Sequence, residues 1–254
     1  MMVWSDASLV LKGNKTHMSS PTRQLDEDVW EVYAQSYDSV LSILPFYLEA
    51  VNRHVAALSI HGARNVIDVG AGTGNVAIQL ALRGMAVTAI DISDGMLKQL
   101  RSKAKDCSPG RLEVIEQDAQ CLDRWPAAAF DGANVLLAFF AMQQPRRALK
   151  EVIRLVRAGG LVVITETKRN FHLQPLLDFA ERFLAVHPRR DELQEDWVRV
   201  KNANIVLDPG RGHDRLSAEE IEHELAESGF VIKSLLDSHL GQCATICAEK
   251  IACQ

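Results

Sequence analysis

The chain has 254 residues, 47% hydrophobic and 24% charged, with a formal net charge of −5 and a sequence pI near 5.9. That size and apolar content suffice for one large α/β core and argue against a second full domain. The acidic balance counts against nucleic acid held on a basic face, and no apolar run approaches the ~20 residues of a membrane span.

Residues 1–24 are polar and irregular and read as a flexible tail, with Met18 as an alternative start. They contain no continuous apolar segment followed by a small-residue cleavage site, so a cytoplasmic location is expected. Residues 25–60 follow as amphipathic N-terminal helices. Trp30, Tyr33, Tyr37, Leu41, Leu44 and Leu48 recur there at helical spacing.

The core spans residues 63–166, and its first half carries the main signal. Residues 65–91 read as a buried strand (Val66, Ile67, Val69), a glycine-dense turn (Gly70, Gly72, Gly74), an apolar helix over 76–82, and a second strand ending in Asp91. A strand that ends in glycines and opens a helix concentrates bare amides and the positive end of a helix dipole. Such a turn receives a nucleotide-like ligand, and an acid a little over twenty residues on is placed to grip a ribose diol. The dinucleotide fingerprint G-x-G-x-x-G fails, because its third glycine falls on Asn75. What stands is D-x-G-x-G-x-G, with Asp68 just ahead of the turn. An acid there suits a ligand bearing an ammonium group and disfavours a pyrophosphate. S-adenosylmethionine has the ammonium, a ribose and no phosphate.

Further elements follow in order. Asp118 stands after a short apolar strand containing Val114 and Ile115, residues 130–139 read as a fourth strand, and 148–166 as helix, glycine turn and fifth strand. Residues 167–215 form an insertion. Ser217 and Glu220 make a capping box that starts a helix ended by Gly229, and 230–236 and 244–249 form an antiparallel pair around Gly241. The five cysteines, Cys107, Cys121, Cys243, Cys247 and Cys253, show no C-x-x-C and no companion histidine spacing. They read as idle thiols in a reducing compartment, with no metal site.

The ordered motifs over 29–165 resemble those of the class I S-adenosylmethionine-dependent methyltransferases. The L-x-P-G-G turn of that family appears at Leu155 to Gly160, with Ala158 in place of proline. The resemblance implies an α/β fold: a seven-stranded Rossmann-like sheet, mostly parallel with a C-terminal antiparallel hairpin, and helices on both faces. It implies S-adenosylmethionine as cofactor, with S-adenosylhomocysteine as product. Asp91 would hold the ribose and Asp118 the adenine amino group, with the Ala119 backbone near the ring and Ile92 and Met96 as apolar walls. Trp30, Tyr33, Ala34, Tyr37 and Asp38 match a Y-A-x-x-Y-D lid helix, whose tyrosines touch the methionyl end. The expected cofactor set is thus Tyr33, Tyr37, Asp68, Gly70, Ala71, Gly72, Gly74, Asp91, Ile92, Met96, Asp118, Ala119 and Leu137. The same aromatic stripe also suits a plainly packed helix.

The insertion 167–215 is where the family builds its acceptor pocket, and 216–254 closes the domain. Methyl transfer needs a general base only if the acceptor must lose a proton. His172, His187 and His213 lie in the insertion, and His172 and His213, beside loop-forming residues near core elements, are the candidate catalytic residues. The N/D-P-P-Y/F motif is absent after the fourth strand, no cysteine follows a proline, and Asp131 is the only acid between Asp123 and Glu151. These absences favour metal-independent O- or N-methylation of a small molecule, as in specialised metabolism. Phe139, Phe140, Met142, Phe171, Phe179 and Phe183 would suit a flat or hydrophobic acceptor. The protein is expected to be a monomer or homodimer without nucleic-acid or membrane partners. The competing readings are a non-catalytic or regulatory protein that has kept the fold, and a nicotinamide-dependent oxidoreductase.

Overall fold

The computed structural model describes residues 21–106, 111–208 and 215–251. Its centre is β1 (Asn65–Val69), buried along nearly its whole length. β1 pairs in parallel with β2 (Ala86–Asp91) on one side and β4 (Phe130–Leu136) on the other. β3 (Leu112–Glu116) adds beyond β2, and β5 (Val156–Thr167) beyond β4. The hairpin of β6 (Phe230–Ser238) and β7 (Cys243–Lys250) docks antiparallel on β5, giving the order β3-β2-β1-β4-β5-β7-β6. This is the seven-stranded sheet that the resemblance implies.

Neighbouring strand residues face opposite sides, so Val66 joins one core and Ile67 the other. On the first face lie α1 (Pro21–Leu41), α2 (Pro45–His61), α3 (Ala77–Leu82) and α4 (Asp94–Lys103). On the second lie α5 (Pro145–Leu155) and α8 (Ala218–Glu227), which bury Leu149, Val152 and Ile221 against the sheet. Covering both faces is why β1, β4 and β5 are nearly continuous apolar runs. Local chemistry sets the helix ends. Ser217 and Glu220 form the expected reciprocal cap at the start of α8, and Pro45 opens α2, which ends on Gly62 at φ +81°.

Three boundaries differ from the sequence reading. The tail expected over 1–24 falls mostly outside the described residues, and its last four residues open α1 on Pro21, whose fixed φ suits a first helical position. β4 stops at Leu136 instead of running to residue 139. Leu137 turns at φ +51°, its amide donates to the Thr165 carbonyl at 2.9 Å, and Phe139–Ala141 form a single 3₁₀ turn. Apolar content alone cannot separate a buried strand from a buried turn that continues it. The glycine turn after α5 is a bulge inside β5, where pairing jumps from Phe130–Val156 to Gly132–Leu161.

The insertion folds as α6 (Gln174–Ala185) and α7 (Arg190–Val206). α7 clasps α1: the Ser36 and Ser39 hydroxyls donate to the two oxygens of Asp196, each at 2.6 Å.

Candidate active site

The carboxyl ends of β1, β2, β3 and β4 meet where the strand order reverses, the place where open α/β sheets bind ligands. A chamber of about 190 Å³ opens there, lined by residues from all four strand ends and by Trp30, Tyr37 and Tyr47. Its floor is the glycine turn. Gly70 has φ +67°, and a Cβ on it would lie 2.4 Å from that of Ala138. Only glycine lets β1 and the turn after β4 approach so closely.

Three carboxyl groups are set around this floor. Asp91 accepts the Gly72 amide on Oδ2 at 2.8 Å and the Ser93 amide on Oδ1 at 2.9 Å. A carboxylate offers about four lone-pair sites, so each oxygen keeps capacity for a further donor. Burial raises the Asp91 pKa, and the Ser93, Gly72 and Ile92 amides oppose that rise. α4 is capped by Ser93, whose hydroxyl accepts the Met96 amide at 3.2 Å. Asp118 is engaged with Gln120, through its backbone amide at 2.8 Å and its side-chain amide at 2.9 Å.

Asp68 is the unusual member. It is 2% exposed. Asn134 Nδ2 donates to Oδ1 at 2.7 Å, while Oδ2 is buried without a hydrogen-bond partner. Burial lifts its pKa to about 7, against the Asn134 hydrogen bond and the Ala77 backbone amide at the start of α3, and with help from the Asp91 charge. Behind it runs a buried polar chain. His54 bridges Asn134 Oδ1 (2.5 Å) and Thr165 Oγ1 (2.6 Å), and Thr165 meets Thr245 Oγ1 at 2.6 Å. Because Asn134 spends its NH₂ on Asp68, its carbonyl faces His54, so Nδ1 of His54 donates and Nε2 accepts from Thr165. Burial keeps His54 neutral, with its pKa lowered to about 4.

A second chamber of about 110 Å³ adjoins the first, and Trp30, Tyr37, Tyr47 and Leu137 line both. α1 is anchored across this shared wall. Thr73 Oγ1 and Asn75 Nδ2, from the glycine turn, donate to Asp38 Oδ1 at 2.7 and 2.9 Å, and Lys103 pairs with Oδ2 at 2.6 Å. Glu31 accepts the Gly95 amide at 2.6 Å. The tyrosine hydroxyls are mutually engaged: Tyr37 donates to Tyr47 at 3.3 Å, Asn75 donates to Tyr47 at 3.2 Å, and Asn204 donates to Tyr33 at 2.8 Å. Burial raises all three pKa values, that of Tyr47 to about 12. Most of the rest of the second chamber is apolar and aromatic, with Phe46, Phe140, Phe171 and Trp197 on its walls, and Thr167, Asn204, His239 and Cys243 are its polar members.

Of the thirteen expected cofactor residues, Tyr37, Asp68, Gly70, Ala71, Gly72, Asp91, Ile92, Met96, Asp118, Ala119 and Leu137 line the first chamber. Tyr33 lines the second instead. Gly74 lines neither; a Cβ there would lie 2.6 Å from Leu100 Cγ, so its place is under α4. His172 is exposed on an outer groove that shares Phe171, Leu173 and Leu177 with the second chamber, and it does not line that chamber because its neighbour Phe171 takes the inward position. His213 lies outside the described residues. Phe139 is buried in the core against α5. Glu31, Tyr47, His54, Asn134 and His239 escaped the sequence reading. Asn134 carried a signal, a polar residue in the apolar second half of β4 opposite Asp68, whereas His239 had none. Among the described residues no His, Cys, Asp and Glu side chains group as a metal set, and no helix is long and apolar enough to cross a membrane.

A doubly wound sheet with a glycine turn and acids at its switch point defines a nucleoside-binding α/β protein, and the comparisons narrow that class. Residues 67–164 match the model of a methyltransferase domain. A demethylmenaquinone methyltransferase of Tropheryma whipplei is 30% identical over 190 residues, 69% of this chain and 78% of that protein. An S-adenosyl-L-methionine-dependent Diels-Alderase of Talaromyces variabilis is 28% identical over 114 residues, 44% of this chain and 39% of that protein. The structure of magnesium protoporphyrin IX methyltransferase from Synechocystis with bound S-adenosylmethionine superposes with a TM-score of 0.62 at 14% identity, covering 92% of this chain and 100% of that one. The chain belongs to the class I S-adenosylmethionine-dependent methyltransferases. It spans 39% to 63% of the length of several curated relatives that it matches.

Proposed function

We propose that this protein transfers a methyl group from S-adenosylmethionine to a small, largely apolar acceptor, without a metal, at an oxygen or nitrogen atom. The observation that carries the reading is Asp68 Oδ2, buried and unpartnered at the head of the glycine turn. A lone carboxylate oxygen there fits an ammonium group and repels a phosphate. Asp91 has lone pairs left for a ribose diol, Asp118 stands where adenine is expected, and Ile92, Met96 and Leu137 supply apolar walls. Bound there, the sulfonium supplies a methyl group that is already activated.

The chain's own contribution is then positioning. The shared wall of Trp30, Tyr37, Tyr47 and Leu137 would hold the reacting ends of the two ligands against each other, and orientation of that kind is worth several kcal/mol of the barrier. In this reading α1 and α2 form the lid, and 167–215 caps the acceptor chamber. The demethylmenaquinone methyltransferase relative, whose named substrate is a quinone, agrees with an acceptor that prefers aromatic walls.

A second reading comes from the Diels-Alderase relative and the apolar second chamber: a cycloaddition in which the cofactor is only structural. One experiment separates them. The protein is incubated with S-adenosylmethionine, a chelator and a panel of phenols, amines, quinols and linear polyenes carrying both a diene and a dienophile, and products are followed by mass spectrometry and chromatographic retention. A one-methyl mass gain with equimolar S-adenosylhomocysteine supports methyl transfer. Isomerised product of unchanged mass would favour cycloaddition, and neither outcome on any acceptor would contradict both.

A further inference from the structure

One group in the second chamber is left over by the account so far. His239 is buried and lines that chamber. Its Nδ1 lies 2.8 Å from Ser238 Oγ, and its Nε2 is buried with no hydrogen-bond partner. The backbone goes out of its way to hold the ring there. His239 and Leu240 both take left-handed backbone, φ +48° and +55°, a conformation that non-glycine residues rarely adopt and that clusters at functional sites. Phe46 and Tyr47 flank the imidazole, with ring centroids 5.2 and 6.5 Å away. None of the other polar groups of the chamber offers a basic lone pair. The tyrosine hydroxyls are bonded as described; the Thr167 hydroxyl is also buried without a hydrogen-bond partner, but a hydroxyl cannot take up a proton at neutral pH as a neutral imidazole can, and burial pushes the Cys243 thiol up, keeping it protonated.

Resting on the methyl-transfer reading above, we infer that His239 is the catalytic base of this site and that its acceptor is a hydroxylated aromatic or enolic small molecule. With Nδ1–H donating to Ser238 Oγ, Nε2 presents a lone pair to an acceptor hydroxyl between aromatic walls. His239 takes the hydroxyl proton onto Nε2 as the oxygen's electron pair forms the new O–CH₃ bond and the donor's S–CH₃ bond breaks. The sulfonium charge thus disappears, and one positive charge appears on the imidazolium, which returns its proton to solvent after product leaves. Burial keeps the resting imidazole neutral, with its pKa lowered to about 3, so the lone pair is free at neutral pH; the same burial weakens it as a base, so proton uptake has to accompany loss of the sulfonium charge. The charged and titratable groups around it are His54, Arg53, Cys243 and the tyrosines.

Two measurements test this. First, calorimetry on wild-type protein saturated with S-adenosylhomocysteine compares a phenol with its methyl ether. The phenol is expected to bind at least tenfold more tightly, through its donated hydrogen bond, and equal or tighter binding of the ether would overturn the assignment. Second, His239→Gln is assayed on phenols of graded acidity. Its rate should fall by about 100-fold, the low end for general-base loss, on weakly acidic phenols, and much less on those already ionised at the assay pH. An equal loss across the series, or none, would overturn the base role, and unchanged S-adenosylhomocysteine affinity certifies the variant's fold. Methyl transfer to amines but to no phenol would overturn the inference alone. Failure of wild-type protein to bind either cofactor form would instead overturn the methyl-transfer reading.

Discussion

The two chambers share a wall yet are built in opposite ways. The first is made of strand ends and the turns that follow them, with most of its lining residues within 68–96 and 117–120. The second is assembled from α1, α2, the turn after β4, the end of β5, both insertion helices and the hairpin of β6 and β7. One presents backbone amides and carboxylates fixed by local hydrogen bonds. The other presents rings and aliphatic chains held by long-range packing. A cofactor shared by a family suits the first construction, and an acceptor particular to one protein suits the second.

The sharpest way to break the first chamber is at Gly70. Gly70→Ala places a methyl 2.4 Å from the Ala138 Cβ at φ +67°, combining overpacking with backbone strain. Each costs about 1–3 kcal/mol, so chemical denaturation should show at least ~2 kcal/mol of lost stability and calorimetry no cofactor binding. Wild-type stability would contradict the role given to that close approach. Next in size, Asp91→Ala should weaken S-adenosylmethionine binding by roughly 1–3 kcal/mol while leaving apolar ligands of the second chamber unaffected.

A third effect is pH-dependent. The free protein holds a proton on Asp68 below about pH 7, and an ammonium ligand requires that proton to leave. Affinity should therefore fall on acidification below pH 7, by at most about tenfold per unit, and Asp68→Asn should abolish the slope. Stability of the ligand-free protein moves the other way for this group. The unfolded chain ionises near 3.8 and the folded one near 7, so the folded state binds the extra proton between them and loses stability as pH rises through that window. His54 opposes it: neutral when folded, with its pKa near 4, it costs stability as pH falls from about 6.5 to 4. The smallest effect belongs to His172. Its exposed side chain predicts a His172→Ala change within about 0.5 kcal/mol by thermal melting, with cofactor affinity unaltered.

The same contrast explains what could be read from the chain. The first chamber was largely legible because strand, glycine turn and acid follow one another at short spacing, so Asp68, Gly70, Gly72 and Asp91 name themselves. Gly74 was misplaced because positive-φ glycines serve a close helix as readily as a ligand, and only Leu100, twenty-six residues on, decides which. The aromatic stripe of α1 could be seen, but not what anchors the helix, since Asp38 reaches Thr73, Asn75 and Lys103 across the fold. The second chamber was nearly opaque. His172 sits in the expected insertion and faces outward, whereas His239 enters from a hairpin turn whose geometry no local pattern announces.

The glycine turn and its acids are built to hold an ammonium-bearing nucleoside and no pyrophosphate. The most direct test is calorimetric titration of the purified protein with S-adenosylmethionine, S-adenosylhomocysteine and NADH, repeated on Asp91→Ala. Micromolar binding of the first two, none of NADH, and weakened binding in the variant are expected. Preference for NADH, or affinity indifferent to Asp91, would contradict that expectation.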